Sequence, residues 1–362
     1  MTGRGSRDLL DRAFLSEILN REDEIEQLYS EILAGSGRDA EHADKIRALE
    51  GLARFCSSQG RPGDAFAYHT DVLAFKEEEG GPDVLQLVPT LRRLAASQLQ
   101  LGDSNEAATD LERALAIIDR SEETDSFDRI ETLMSLGSTL VRLGRPQHAR
   151  DRLEEALALQ ESALGPSHHS VATTLVGLAD LAKREGDLDA QELYERAVAA
   201  LQCALQLQER AVGSEHASVV RSVDRIARLH VQYGGYEEAA RLYQRLLTTK
   251  EHLYGVDHPS TLATVVNLAR TFTHQRQDER AEALFERAVK AQEESSDPGD
   301  RPRLAGTLTY WGYLRRMQGR QRDEKELLER ADRLRHSPLP SEVSPAPADQ
   351  TEGSGSFHSE SG

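Results

Sequence analysis

An all-α solenoid of antiparallel helix hairpins is the fold this sequence predicts, and three features predict it. One apolar pattern returns about every 42 residues along most of the chain. Within each copy, large apolar residues fall three and four apart, the spacing of a helix face. The composition is Ala-, Leu-, Glu- and Arg-rich with 5% aromatics and Pro at only 12 positions, which favours helix nearly throughout.

The copies are anchored by Gly60, Gly102, Gly144, Gly186, Gly234 and Gly319, with Arg276 in the equivalent place of one copy, at spacings of 42, 42, 42, 48, 42 and 43. Eight residues before the anchors stand Leu52, Leu94, Leu136, Leu178, Ile226, Leu268 and Trp311, and seven before stand Ala53, Ala95, Gly137, Ala179, Ala227, Ala269 and Gly312. A large residue beside an invariably small one marks the place where a neighbouring helix comes close, and the anchor then ends the helix. Five residues on, Ala65, Ala107, Ala149, Ala239 and Ala281 begin a second buried stripe. Each copy is therefore a helix hairpin, and at least fourteen helices and no strand are expected.

Taken in order, residues 1–41 are expected to hold a degenerate capping hairpin, with Asn20 at the anchor place and Tyr29 on the second helix. A terminal unit buries one face only, which accounts for charge such as Glu22–Glu26. Residues 42–335 make seven repeats. In the fourth, Ala190 is assigned the buried small position, and the longer spacing becomes a heptad added to the second helix, carrying Leu201, Leu205 and Gln208 beyond its neighbours. The last hairpin, with Glu324 in place of the buried Ala, caps the other end. Residues 336–362, rich in Ser, Pro, Glu and Gly, bury too little apolar surface to order and form an acidic tail.

The net charge of −18 argues against nucleic acid and anionic lipid as partners. Cys56 and Cys203 show no metal-ligand spacing, and the N-terminus runs into a charged helix without a signal-peptide core. With no stretch near the ~20 apolar residues of a membrane span, a cytoplasmic protein is expected. Gly165–Ser170, Gly213–Ser218 and Gly255–Ser260 share Gly-x-x-His-x-Ser at one repeat phase. Helices ~8–10 Å apart hold such histidines too far from one another for a single ion, so the turn is structural, with Ser170, Ser218 and Ser260 as helix N-caps and the histidines packed or hydrogen-bonded in the turn. No catalytic, phosphate-binding or metal motif occurs, and no enzyme activity, cofactor or metal is expected.

The anchors, the small residues and segments such as Gly255–Ser260 and Leu284–Val289 resemble the tetratricopeptide repeat in its 42-residue, kinesin-light-chain-like form. The resemblance covers residues 42–335 and implies a right-handed superhelix in which the first helix of every hairpin lines a groove. It places the lining 13, 10, 9, 6, 3 and 2 residues before each anchor. The charged residues there are Arg47, Glu50, Arg54, Arg92, Arg93, Glu131, Arg142, Asp180, Lys183, Arg184, Arg221, Asp224, Arg225, Arg228, Arg270 and Arg316, twelve basic against four acidic.

A positive lining in a negative chain focuses an attractive field on acidic ligands, and Arg grips carboxylates with paired hydrogen bonds. The partner-binding residues singled out are Arg92, Arg93, Lys183, Arg184, Arg221, Arg225, Arg228, Asn267, Arg270 and Arg316. Asn267 alone keeps an asparagine that kinesin light chains use on peptide backbones. The expectation is a scaffold or adaptor binding an acidic segment of a protein partner, the alternatives being that these arginines satisfy carboxylates on adjacent helices, or that the solenoid assembles into a homo-oligomer. The acidic tail with its lone aromatic Phe357 is a candidate occupant of the same groove.

Overall fold

The computed structural model describes residues 4–18, 21–35, 42–121, 126–295, 297 and 299–336. These form sixteen α-helices and one 3-10 turn, with no strand among the described residues. The hairpins are α1 (Arg4–Ile18) with α2 (Glu22–Gly35), α3 (His42–Ser58) with α4 (Pro62–Gly80), α5 (Val88–Leu101) with α6 (Ser104–Arg120), and α7 (Ser126–Arg142) with α8 (Pro146–Leu164). There follow α9 (His169–Glu185) and α10 (Ala190–Val212), α11 (Ala217–Gln232) and α12 (Tyr236–Tyr254), α13 (Pro259–His274) and α14 (Asp278–Glu294), and α15 (Asp300–Met317) and α16 (Gln321–His336). The chain divides into two compact units, residues 1–207 and 208–362, with the division inside α10. The expected tail begins one residue later than anticipated, because α16 runs through His336, and residues 337–362 lie outside the described residues, as does Asn20.

The core is the repeated pattern made solid. Leu52, Leu136, Leu178 and Ile226 are 1% exposed, and the small partners Ala53, Ala179, Ala227 and Ala269 are fully buried. At Gly137 a Cβ would meet the Leu153 side chain of α8 at 2.7 Å, so a side chain at this crossing would have to push Leu153 aside. The anchors adopt the left-handed conformation that closes each first helix, and Arg276, with φ 59°, is the one non-glycine described residue that does so.

Two periodic polar devices tie successive hairpins together. On the inner side, one residue from each of four second helices, α4, α8, α10 and α12, meets a hydroxyl fourteen positions later. Lys76 Nζ donates to Thr90 Oγ1 at 2.9 Å, Thr174 Oγ1 to Gln160 Oε1 at 2.6 Å, Ser222 Oγ to Gln208 Oε1 at 2.7 Å, and Lys250 Nζ to Thr264 Oγ1 at 2.9 Å. On the outer side, neighbouring second helices exchange ion pairs: Arg113–Glu77 at 2.6 Å, Arg196–Glu161 at 2.9 Å and Arg287–Glu251 at 2.6 Å, with Arg245–Glu209 and Arg330–Glu293 in the same phase. Partly exposed pairs of this kind contribute only ~0–1 kcal/mol each. Their consequence is that they consume outer arginines.

These devices correct the register of the fourth repeat. The Gln208–Ser222 and Arg245–Glu209 contacts align Ala197 with Ala149 and Ala239, and all three are fully buried, whereas Ala190 is half-buried and Arg196, which meets Glu161, keeps the Ala190 register. No heptad is added beyond the core. The helix α10 has 23 residues against 19 in α8, a gain of one turn at its N-terminal end, and the rest of the insertion lengthens the connection carrying Leu188, which is 93% exposed. Leu201 and Leu205 are ordinary core residues, 3% and 7% exposed, and do not project.

The repeated turn also differs in one respect from expectation. His168, His216 and His258 are the N-cap residues of α9, α11 and α13, each in extended backbone. Their Nδ1 atoms accept from the backbone N–H groups of Ser170, Ser218 and Ser260 at 3.2, 3.3 and 3.1 Å. The serines lie already inside the helix and supply the N–H instead of the cap oxygen.

Candidate groove faces

The positions assigned to the groove lie on the side of the first helices that the core leaves uncovered, and nearly all are exposed or half-buried. Gly51 is an exception with a cause: a Cβ there would stand 2.2 Å from the Tyr29 ring, which packs from α2 across α3.

In the first unit, much of the basic lining is already paired. Glu50 on α3 takes Lys76 at 3.0 Å and Arg93 at 3.4 Å, and Arg92 reaches Asp128 on α7 at 3.3 Å. Arg142 donates to the Leu99 carbonyl at 3.0 Å. For Arg92 and Arg93, pairing with carboxylates on adjacent helices is what the structure shows. Lys183 and Arg184, in the last turn of α9, are exposed, and Arg184 has no partner among the described residues. Beside it opens a pocket of about 290 Å³ floored by Met134, Val141, Leu153 and Leu181, with Asp180 and Arg184 also in its lining.

Beneath Glu50 lies His69 of α4, 4% exposed, its Nδ1 buried without a hydrogen-bond partner. Burial, reinforced by Arg93, holds its pKa down to about 4. His69 occupies the core position filled elsewhere by Leu111, Leu153, Leu201, Tyr243 and Phe285.

The second unit carries the denser face. Arg221, Arg225 and Arg228 rise along α11 at intervals of four and three, one helical stripe. Arg221 is exposed and has no partner among the described residues; Arg228 is held by Asp224 at 3.0 Å. Arg225 is half-buried, and burial together with Arg228 pushes its pKa below the ordinary value. Lys250 of α12, 8% exposed, donates only to neutral oxygens, the Thr264 hydroxyl and the Ser260 carbonyl. Burial lowers its pKa too, with Asp224 opposing and Arg228 reinforcing the shift.

On α13, Asn267 Oδ1 accepts from Arg270 at 3.4 Å, and the Arg270 guanidinium lies 4.0 Å from the centre of the Tyr310 ring. Arg316 of α15 is exposed without a partner among the described residues. Of the ten residues singled out from the sequence, Arg92, Arg93, Lys183 and Arg184 belong to the first unit, while Arg221, Arg225, Arg228, Asn267, Arg270 and Arg316 share the second.

Charge reading overlooked the aromatic component. Tyr310, Tyr313 and Met317, spaced three and four apart on α15, are 39%, 44% and 36% exposed. The His274 ring stacks on Tyr236 at 4.7 Å and lies 6.2 Å from Tyr313. The signal was available, since Tyr310, Tyr313 and Met317 stand 9, 6 and 2 residues before Gly319 in the lining register.

No group of three or more His, Cys, Asp or Glu among the described residues is arranged to hold a metal ion, and no described helix is long and apolar enough to cross a membrane. Comparison with known proteins agrees with this architecture. The tetratricopeptide repeat family matches residues 86–162, 128–200 and 236–294. None of the curated proteins matches the sequence. Among solved structures, a putative kinesin light chain from Podosopora anserina with nearly identical TPR-like repeats is 25% identical, at TM-score 0.50, over 59% of this chain and 97% of its own. The signal-transduction ATPase PH0952 from Pyrococcus horikoshii, which has a tetratricopeptide repeat sensor, is 14% identical at TM-score 0.57. The match covers 90% of this chain and 47% of the ATPase. The apo quorum sensor NprR from B. thuringiensis is 13% identical at TM-score 0.57 over 91% and 87%. These last two share the fold.

Proposed function

We propose, for a chain that is itself a tetratricopeptide-repeat protein with kinesin-light-chain-like repeats, that it serves as a scaffold holding an acidic segment of a protein partner against the face formed by α11, α13 and α15. The observation that carries this reading is uncompensated positive charge. Arg221 and Arg316 have no partner among the described residues, and Lys250, lowered in pKa by burial and by Arg228, donates to neutral oxygens among them. Asp224, the acidic lining residue of this face, is engaged by Arg228. A carboxylate brought to this face relieves repulsion that the folded protein otherwise carries, and the guanidinium groups can bind it with two hydrogen bonds each.

The weight thereby moves from Arg228, which Asp224 already neutralises, to Arg221 and Arg316. The test uses a fluorescein-labelled decapeptide of alternating Glu and Ala, titrated with the full chain and read by anisotropy. Arg221→Glu with Arg316→Glu should weaken binding at least tenfold, because two attractive charges become repulsive. Raising salt from 50 to 300 mM should weaken the parent protein severalfold by screening. Equal affinity in parent and double variant would overturn the assignment of this face.

A further inference from the structure

The tyrosines on α15 form the part of the second unit's face that carboxylate binding leaves unexplained. Tyr310 and Tyr313 each expose about two-fifths of their surface, 39% and 44%, with Met317 continuing the stripe. Arg270 backs the Tyr310 ring, and Arg316, without a partner among the described residues, stands between Tyr313 and Met317 in sequence. Aromatic rings in a row along a shallow face are the chemistry that receives proline-containing segments in the extended polyproline conformation.

The chain supplies such a segment at that spot. The last turn of α16 touches the face, since Arg335 Nη2 donates to Thr309 Oγ1 at 2.8 Å, next to Tyr310. The residues that follow His336 are Ser337, Pro338, Leu339, Pro340, Ser341 and Glu342, with Pro345 and Pro347 beyond. From residue 337 to 362 there is no Lys or Arg and there are four carboxylates, complementary to Arg270 and Arg316. The spacings also agree. Polyproline advances ~3.1 Å per residue, so Pro340 lies ~6 Å and Glu342 ~12 Å beyond Pro338. A helix rises 1.5 Å per residue, so Tyr313 lies ~4.5 Å and Arg316 ~9 Å beyond Tyr310, and the long Arg316 side chain covers the difference.

We infer that residues 337–342 of this chain dock on Tyr310 and Tyr313, with Pro338 and Pro340 against the rings and Glu342 on Arg316. This docking stands on the tyrosines and prolines, not on Phe357, and not on the acidic-partner reading.

The experiment follows cleavage of the full chain after Glu342 by a glutamate-specific protease, with the appearance of fragments that begin at Val343 read by mass spectrometry. The free peptide 337–362 supplies the unprotected rate. The parent chain should be cleaved at least fivefold more slowly than the peptide. Tyr310→Ser with Tyr313→Ser should restore the peptide's rate, and Pro338→Ser with Pro340→Ser should do the same relative to the matching substituted peptide. The proline changes lie beyond α16, which ends at His336. Arg221→Glu, which tests the acidic-partner reading, should leave protection unchanged. A parent chain cut as fast as the peptide, or protection that survives the tyrosine changes, would overturn the inference.

Discussion

Replacing His69 with Leu should raise stability most where the parent protein is weakest, in mild acid. The imidazole is 4% exposed, its Nδ1 has no partner, and its pKa is about 4 against an ordinary 6.5. The charged groups around it are Glu50 and Arg54 of α3, Lys76 of its own helix α4, and Arg93 of α5, so cations outnumber the carboxylate. A folded-state pKa below the unfolded value means that the fold prefers neutral histidine. Stability is therefore complete above about pH 6.5 and is lost as pH falls towards 4, after which no further loss comes from this group. At 1.36 kcal/mol per unit, a shift from 6.5 to about 4 corresponds to about 3 kcal/mol, of which about 2 kcal/mol has gone by pH 5. Leu fills this position in three other repeats, as Leu111, Leu153 and Leu201, so the variant introduces a side chain the packing already accommodates.

The measurement is urea unfolding of parent and His69→Leu at pH 7.5, 6, 5 and 4.5 by circular dichroism at 222 nm, with hydrogen exchange of α3–α5 amides reporting the first unit. Carboxylates titrate in both proteins and cancel in the difference. That difference should grow by about 2 kcal/mol between pH 7 and pH 5. A pH-independent difference would show that His69 takes up its proton equally in the folded and unfolded chains, and would refute the argument from burial.

Arg276→Gly should stabilise the second unit by roughly 0.5–1 kcal/mol, since a left-handed non-glycine residue costs about 1–2 kcal/mol and glycine's added chain entropy returns part of the gain; Trp311 fluorescence during urea unfolding reads it. His258→Ala should cost about 1 kcal/mol by removing the N-cap of α13, whereas His258→Asn, which keeps an acceptor, should cost less than half of that. Deleting residues 201–207 should abolish cooperative unfolding, because Leu201 and Leu205 are core. Deleting residues 188–193 should preserve it, since the junction then reads Gly186-Asp187-Tyr194-Glu195-Arg196-Ala197, parallel to Gly234-Gly235-Tyr236-Glu237-Glu238-Ala239.

The repeat was legible because its physical requirements are local: a small residue where helices cross, a large one beside it, and a left-handed residue at the end. Arg276 shows how strong that pattern is, for it adopts φ 59° at the anchor place without being glycine. The fourth repeat was misregistered for an equally physical reason. Ala190 and Ala197 are seven residues apart, about two turns, and so fall on nearly the same helix face. Periodicity cannot separate them. The contacts of Gln208 and Glu209 with other helices do. In the Gly-x-x-His-x-Ser turn, two cap-competent side chains stand two residues apart, and the backbone decides between them by extending at His168, His216 and His258.

The groove was legible as a register but not as a charge distribution, because counting residues treats every arginine alike. Arg93 and Arg184 are both exposed and both count as one positive charge, yet Arg93 shares Glu50 with Lys76 while Arg184 stands alone among the described residues. Lys250 was absent from the count altogether, since it belongs to a second helix and reaches the inner side only by replacing the glutamine that serves as tie at Gln160 and Gln208. That exchange puts a cation of lowered pKa beside Arg228 where two other repeats have a neutral amide. Lys250→Gln should therefore keep the tie to Thr264 and the fold while weakening the acidic decapeptide severalfold, because it removes one positive charge and leaves the hydrogen bond. The same substitution should raise stability at pH 7. A lysine whose folded pKa lies below its unfolded value carries its penalty while it is charged and sheds it as pH rises from the folded pKa towards 10.5. Weaker peptide binding together with a more stable fold would be the signature of charge kept for recognition. Unchanged binding would confine Lys250 to the structural tie and leave Arg221 and Arg316 to carry the face.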